Sequence, residues 1–430
     1  MGLQNLSDEL LLEIVKFVKV GGRNKDLSQL ALCSQRLNGI TTPLLYRDIF
    51  QTEPQALPSL LRTILNKPHL GDYVVTYEAT EFENVQLDIF GFTEEDLNSC
   101  KDSISRTTTS EDESFSWFCR AEEGEWQALT TILLLNLPNL KAFNIASYNN
   151  FRLEVVDGID PGAIGSLFGK AAALQNSGDK SLGALNSLEM VSVAYADTEM
   201  GLSFEDVIPF LKLPSVKTFK VYMLDGIADV ESMPGNEFNT RKLELGYSSI
   251  EPDAFTQFLP CFASLEILSY QHAGAIVGCS EFLPRSFGAG IQHLKHCLKS
   301  LEIFGTPEYT DDERALGIGS LRAFESLVSI STEQKILLGP DLVLDQESED
   351  DEEPVHLLDV VPKSLVRLRL RQCRLGIMDE FEGVLEQKDR ATPNLEHVAF
   401  RFIGSPPDAS MAMIVRDQAE ANGISMILGN

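Results

Sequence analysis

Residues 364–375 read SLVRLRLRQCRL. Leu365, Leu368 and Leu370 alternate with Arg367, Arg369 and Arg371, the pattern of a strand that buries one face and solvates the other. The underlying phrase is an apolar residue, two others, an apolar residue, one other, then an apolar residue. With KSLVRLRL at 363–370 counted in, it occurs nine times. The other eight are PNLKAFNI (138–145), NSLEMVSV (186–193), PSVKTFKV (214–221), NTRKLELG (239–246), ASLEILSY (263–270), CLKSLEIF (297–304), ESLVSIST (325–332) and PNLEHVAF (393–400). In chain order, the fourth has threonine at its first anchor, Thr240, and the seventh has threonine at its last, Thr332. The middle anchors are Phe143, Val191, Phe219, Leu243, Leu268, Leu301, Ile330, Leu368 and Val398, at intervals of 24 to 48 residues. HLGDYVVTYEA (69–79) reads as a degenerate earlier strand, and EWQALTTILLLNL (125–137) and SFEDVIPFLKL (203–213) read as helices between phrases.

Strand, turn and helix repeating in that order build a solenoid with parallel strands on one side and helices on the other. The phrases resemble an irregular leucine-rich repeat, whose units run to about 20 to 29 residues, so the longer intervals imply insertions. The expected fold class is α/β, with residues 51–430 forming an irregular leucine-rich-repeat horseshoe. An ordinary α/β fold with unrelated strands is the competing reading. Two segments stand outside the rhythm. Residues 93–116 are polar and rich in Ser and Thr, and 345–354 hold an acidic run with six Asp and Glu between Glu347 and Pro354. Neither has enough apolar surface to offset its ordering entropy, so both are expected to be loops, the acidic one disordered.

The first fifty residues keep a different rhythm. Leu3, Leu6, Leu10, Ile14 and Phe17 recur at gaps of three and four, marking one apolar side of a helix that Ser7 is placed to cap. Asp26 with Gln29 opens a second helix whose inner side is Leu27, Leu30, Ala31, Ser34 and Leu37, and Thr42-Pro43 opens a third. So small a unit makes a marginal core alone. Yet it also carries Leu11, Val15, Val18, Leu44, Leu45 and Tyr46, so part of its apolar surface is expected to meet a partner or the next domain.

NLSDELLLEIVKFV followed by DLSQLALCSQRLNGITTPLLYRDI resembles the F-box, the adaptor-binding module of SCF-type ubiquitin ligases, in the form common in fungal proteins. The resemblance covers roughly residues 3–50, so that residues 1–50 are expected to form an F-box domain. It departs from the family pattern at Ser7, where proline is usual, and at Leu37, where phenylalanine is frequent. It implies that Leu6, Leu10, Leu11, Ile14, Leu30, Ser34, Leu37 and Tyr46 include the residues that face a Skp-family adaptor, which brings cullin and RING subunits with it. An F-box followed by irregular leucine-rich repeats is itself a familiar fungal arrangement. Periodicity does not separate the inward residues from the outward ones.

Composition narrows the function classes. At 43% hydrophobic and 23% charged the chain folds, and it contains no apolar run long enough to span a membrane. No secretory signal is read at the N-terminus, and the seven cysteines show no paired spacing, so a cytoplasmic or nuclear setting with free thiols is expected. Lys and Arg number 35 against 64 Asp and Glu, a net charge of −29, which disfavours nucleic acid and anionic membranes as partners.

Catalytic patterns fail on inspection. GAIGSLFGKA (162–171) puts Ile164 where the first glycine of a phosphate loop belongs and Ala171 where the hydroxyl belongs. HLKHC (293–297) clusters two histidines and a cysteine without a second pair at zinc-like spacing. No cofactor and no metal is expected, and the chain is read as a non-enzyme. Against the charge of −29, Arg367, Arg369 and Arg371, with Arg401 from the next phrase, form a candidate target-binding anion site. Local neutralisation of the acidic run is the equal alternative. The expected function is substrate recognition in a ubiquitin ligase, with the F-box on the adaptor and the repeats on a target protein. The alternative is a repeat scaffold that forms no ligase.

Overall fold

The computed structural model describes residues 6–20, 24–51, 53–81, 87–108, 110–147, 163–196, 201–226, 238–272, 281–305, 316–339, 355–404 and 406–429. The chain divides into two compact units, Met1–Ala196 with Glu205–Val216, and Asp197–Phe204 with Lys217–Asn430. The acidic run at 345–354 lies outside the described residues.

The first unit opens with α1 (Asp8–Val20), α2 (Asn24–Cys33) and α3 (Gln35–Arg47), followed by β1 (Asp48–Phe50), α4 (Ala56–Asn66) and β2 (Thr76–Thr80). It continues through α5 (Glu94–Ser105), α6 (Glu111–Glu122), α7 (Trp126–Leu135), β3 (Ala142–Ser147), α8 (Ala163–Asn176) and β4 (Met190–Tyr195). It also holds all but the first residue of α9 (Phe204–Leu211). β1, β2, β3 and β4 pair in chain order and in parallel. Every residue of α7 is buried, and Tyr77, Phe143, Phe168 and Phe210 meet in succession at 5.9, 6.0 and 4.5 Å between ring centres, the first two pairs stacked and the last tilted.

The second unit holds β5 (Thr218–Tyr222), β6 (Asp225–Gly226), β7 (Lys242–Ile250), α10 (Pro252–Phe258), β8 (Ile267–His272), α11 (Pro284–Ile291), β9 (Ser300–Phe304), β10 (Ser329–Glu333) and α12 (Gln334–Leu338). After these come α13 (Leu357–Val360), β11 (Arg367–Cys373), α14 (Ile377–Glu386), α15 (Lys388–Ala391), β12 (His397–Phe402), α16 (Ala409–Ala421) and β13 (Ser425–Gly429). From β7 to β13 each strand pairs with its sequence neighbour, β5 pairs with β7, and β6 adds a short bridge to β7. All these pairings are parallel. Spatial order therefore equals chain order within each unit, unlike a doubly wound sheet, whose order reverses at a switch point.

Register shows that the phrases are structurally equivalent. Phe219, Leu243, Leu268, Leu301, Ile330, Leu368 and Val398 are direct partners in one row across the second unit, and Tyr77, Phe143 and Val191 do the same in the first. All are buried. The backbone repeats as well. The carbonyls of Lys141, Lys217, Arg241, Glu266, Lys299, Val328 and Val366, each just before a strand, accept two consecutive N–H groups from the next phrase. Each strand start is thereby tied to its neighbour at a fixed height.

The two threonines that depart from the phrase are buried like the residues they replace. Thr240 is fully buried and Thr332 is 2% exposed, and neither hydroxyl has a hydrogen-bond partner. A buried hydroxyl without a partner costs about 1 to 3 kcal/mol. Thr240→Val and Thr332→Val keep the shape and remove the orphan group. Each is expected to raise unfolding free energy by about 1 kcal/mol in denaturant titration, and a loss of stability would show that the hydroxyl is satisfied.

Three expectations are corrected. Residues 93–116 fold into α5 and α6 rather than a loop. Thr93 and Asp96 form a reciprocal capping box, Ser110 caps α6, and Cys100, Ile104, Trp117 and Phe118 are buried. Capping and a few well-placed apolar residues outweigh the polar composition. The third helix begins at Gln35, capped by Ser34, and not at Thr42-Pro43; Pro43 sits inside it. Finally, the degenerate strand at 69–79, expected as the first, is preceded by β1, which pairs with it, and β13 follows the last phrase; neither β1 nor β13 carries a complete phrase.

Candidate functional site

The N-terminal helices hold together through a small core of their own. Val15, Leu27 and Leu44 form it, with Leu12, Val18, Leu30, Ile40 and Leu45 packed around them. Ser34 Oγ accepts the Leu37 N–H at 3.2 Å and lets α3 start two residues after α2 ends. Arg36 fastens the entry of α1, with Nε donating to Asp8 Oδ1 and Nη2 to the Leu6 carbonyl, both at 2.7 Å.

This packing divides the apolar residues of α1 into two stripes, and the division reverses the sequence-based assignment. Leu11 and Val15, read as surplus surface, are 2% and 1% exposed and belong to the core. Leu10, Ile14 and Phe17, read as the helix's apolar side, are 54%, 39% and 76% exposed and lie one above another at positions i, i+4 and i+7. Leu6, Leu30, Ser34, Leu37 and Tyr46 are half-buried. Of the proposed adaptor-facing residues, Leu10 and Ile14 are therefore presented outward, Leu11 is not, and Ser34 serves as a cap. Phe17, and Leu32 of α2 at 85% exposure, are outward residues absent from that set.

On the second unit, Arg367, Arg369, Arg371 and Arg401 are all exposed, while Leu365, Leu368 and Leu370 are buried, as alternation requires. In register, Arg367 and Arg369 stand between Ser329 and Ser331 of β10 and His397 and Ala399 of β12. Arg401 lies two residues beyond Ala399 on the same face. Arg371 is paired in register with Glu333, and its guanidinium carbon lies 4.1 Å from the centre of the Phe304 ring on β9. Among the described residues none of the four arginines forms an ion pair, although Arg371 acts electrostatically on the Glu333 carboxyl. The acidic run, the alternative partner for these arginines, lies outside the described residues.

Glu333 was not legible as a special residue. It is 6% exposed, and one carboxylate oxygen accepts the Gly305 N–H at 3.2 Å. Burial pushes its carboxyl up to about 7, against the opposing pull of the Gly305 N–H, Arg371 and Lys335. A raised carboxyl pKa favours the folded state while protonated, and that contribution is lost as pH rises through about 7. Glu333→Gln, which still accepts from Gly305, is expected to leave stability unchanged near pH 4 and to raise it by on the order of 2 kcal/mol at pH 8. Denaturant titrations at the two pH values check this; an equal effect at both would show that no buried ionisation is involved.

The rejected motifs have ordinary structural roles. Residues 163–171 are helical in α8, and Lys170 pairs with Glu113 and lies 5.1 Å from the Trp117 ring centre. Both ring nitrogens of His293 face backbone carbonyls, Gly290 at 2.9 Å and Phe262 at 3.0 Å. His296 meets Glu325 at 2.9 Å, and Cys297 Sγ meets the Leu294 carbonyl. Among the described residues no group of three or more His, Cys, Asp or Glu is placed to hold a metal, and no helix is long and apolar enough to cross a membrane. The six described cysteines are free, with Cys279 outside the described residues, and burial pushes the Cys100 and Cys373 thiols up to about 12.

No protein-family model matches the chain. No curated protein matches it either.

Proposed function

We propose that the chain is an F-box protein with irregular leucine-rich repeats, acting as the substrate-recognition subunit of an SCF-type ubiquitin ligase. The observation that carries this reading is the exposed stripe Leu10, Ile14 and Phe17 on a helix whose neighbouring stripe is already buried, with Val15 in the core. Three large apolar side chains in line on one helix face are more than scattered surface residues and mark a surface for another protein. The in-register row of phrase anchors supports the repeat half of the reading, because stacked equivalent units are what a solenoid requires.

In this reading the chain performs no bond chemistry. Helices α1 to α3 dock on a Skp-family adaptor, and the solvated strand face holds a target protein near the ubiquitin-carrying enzyme. Rate is gained through effective concentration and orientation. The test is affinity purification of the tagged chain from cells with the proteasome inhibited. The ligase reading expects adaptor, cullin and RING subunits together. Recovery of adaptor alone would support a non-ligase scaffold, and recovery of none of them would contradict the assignment.

A further inference from the structure

The exposed face of the second unit is electrostatically uneven. At its β5 and β7 strands the cations are matched: Lys220 meets Glu244 at 2.7 Å and Lys242 meets the same carboxylate at 2.6 Å. On β9 the carboxylate is Glu302, with Ser269 Oγ of β8 at 3.4 Å. On β11 the pattern stops. Arg367 and Arg369 have Ser329 and Ser331 beside them on β10, and His397 and Ala399 on β12, with His397 Nε2 4.0 Å from a Glu396 carboxylate oxygen. Arg371 rests on Phe304, and Arg401 adds a fourth guanidinium on the neighbouring strand. Arg371 also stands in register with the buried Glu333, but in a chain with net charge −29, four arginines that form no ion pair among the described residues on adjoining strands are not explained by general solubility.

The row also has a pitch. Arg367, Arg369 and Arg371 occupy alternate positions of one strand, so their bases repeat every two residues, about 6.6 to 6.8 Å. An extended peptide presents the side chains of one face at that same interval. Ser329, Ser331 and Ala399, three of the four flanking residues, are short and leave room beside the guanidinium forks for a ligand lying along the strand, and such forks match carboxylates bidentately.

Building on the reading of the strand face as the target-binding surface, we propose that this row binds an extended acidic peptide segment of the target, with carboxylates at every second residue meeting Arg367, Arg369 and Arg371 in turn. Long polyanions such as nucleic acid fit less well, because the −29 field of the whole chain repels them while a short peptide meets only the local row.

The experiment is direct binding of labelled peptides to the full chain by fluorescence anisotropy, independent of any adaptor. The probes are a Ser-Glu alternating peptide, a peptide of the same composition with glutamates at every third residue, and a single-stranded oligonucleotide of equal charge. The chain's own sequence has acids at alternate positions, Asp345, Glu347, Glu349, Asp351 and Glu353, which would compete for the same row. Each probe is therefore also titrated against a variant lacking residues 345–353. The expected result, in at least one of the two proteins, is binding of the alternating peptide several-fold tighter than of the other probes. That binding should weaken as salt rises from 50 to 300 mM, values chosen to shorten the screening length. Arg367→Glu with Arg369→Glu is expected to weaken it about tenfold or more at unchanged thermal midpoint, since exposed pairs are lost and like charges added. No preference for the alternating peptide in either protein, tighter binding of the oligonucleotide, or equal binding by the double variant would each overturn the proposal. Loss of adaptor binding tests the N-terminal helices instead and leaves this outcome untouched.

Discussion

The chain carrying Leu10→Asp together with Ile14→Asp is expected to lose adaptor binding while keeping its fold. Both side chains are exposed, at 54% and 39%, so two carboxylates there remain solvated and cost the isolated protein little. In a complex the same carboxylates would be buried without partners, where an unpaired charge costs roughly 3 to 5 kcal/mol. That corresponds to at least about a hundredfold rise in Kd. Leu11→Ala is the contrasting variant. Leu11 is 2% exposed, and removing it is expected to destabilise the protein by about 2 to 5 kcal/mol in proportion to the cavity left. Unchanged co-purification of adaptor with the double aspartate variant would contradict the docking surface.

Gly288→Ala is expected to be the most damaging small substitution in the second unit. A Cβ at residue 288 would lie 1.9 Å from the carbonyl oxygen of Ile318 and 2.9 Å from its carbonyl carbon. Because the obstruction is backbone, no rotamer change relieves it, and α11 must move away from the segment it packs against. Overpacking of this kind costs about 1 to 3 kcal/mol and occasionally more; about 3 kcal/mol is expected here. Gly383→Ala, in α14 with nothing within 4 Å of the new Cβ, is expected to stabilise by roughly 0.5 to 1 kcal/mol through helix propensity. Denaturant midpoints for the pair check both signs, and a neutral Gly288→Ala would show that the helix and the segment are not in the contact described.

How much was legible depended on whether a local pattern or a tertiary contact decides each feature. The strand phrases were readable because a period of two with three buried anchors leaves one face and one register, and a slip by one residue would expose Leu368 and bury Arg369. Arg367, Arg369, Arg371 and Arg401 were placed outward on that same logic. The inside and outside of α1 were not readable, because Leu11 and Val15 form as good a stripe as Leu10 and Ile14. Only tertiary packing selects between them: Val15 sits with Leu27 and Leu44, and Leu11 is buried as well. The start of α3 was displaced because Thr42-Pro43 has the form of a helix start, while the cap actually used is Ser34. Helices α5 and α6 were hidden by composition although their caps, Thr93 and Ser110, stood in plain sequence. Glu333 carried no signal at all, since its burial and its bond to the Gly305 N–H depend on a residue 28 positions earlier in the chain.

The central claim is that helices α1 to α3 present Leu10, Ile14 and Phe17 to a Skp-family adaptor. Its most direct test is calorimetric titration of purified adaptor into the purified full-length chain. The account predicts a one-to-one complex with a Kd of about 1 μM or tighter, corresponding to roughly −8 kcal/mol, and a negative heat-capacity change from burial of the apolar stripe. Absence of binding at adaptor concentrations of about 100 μM, with the chain shown to be folded, would contradict it.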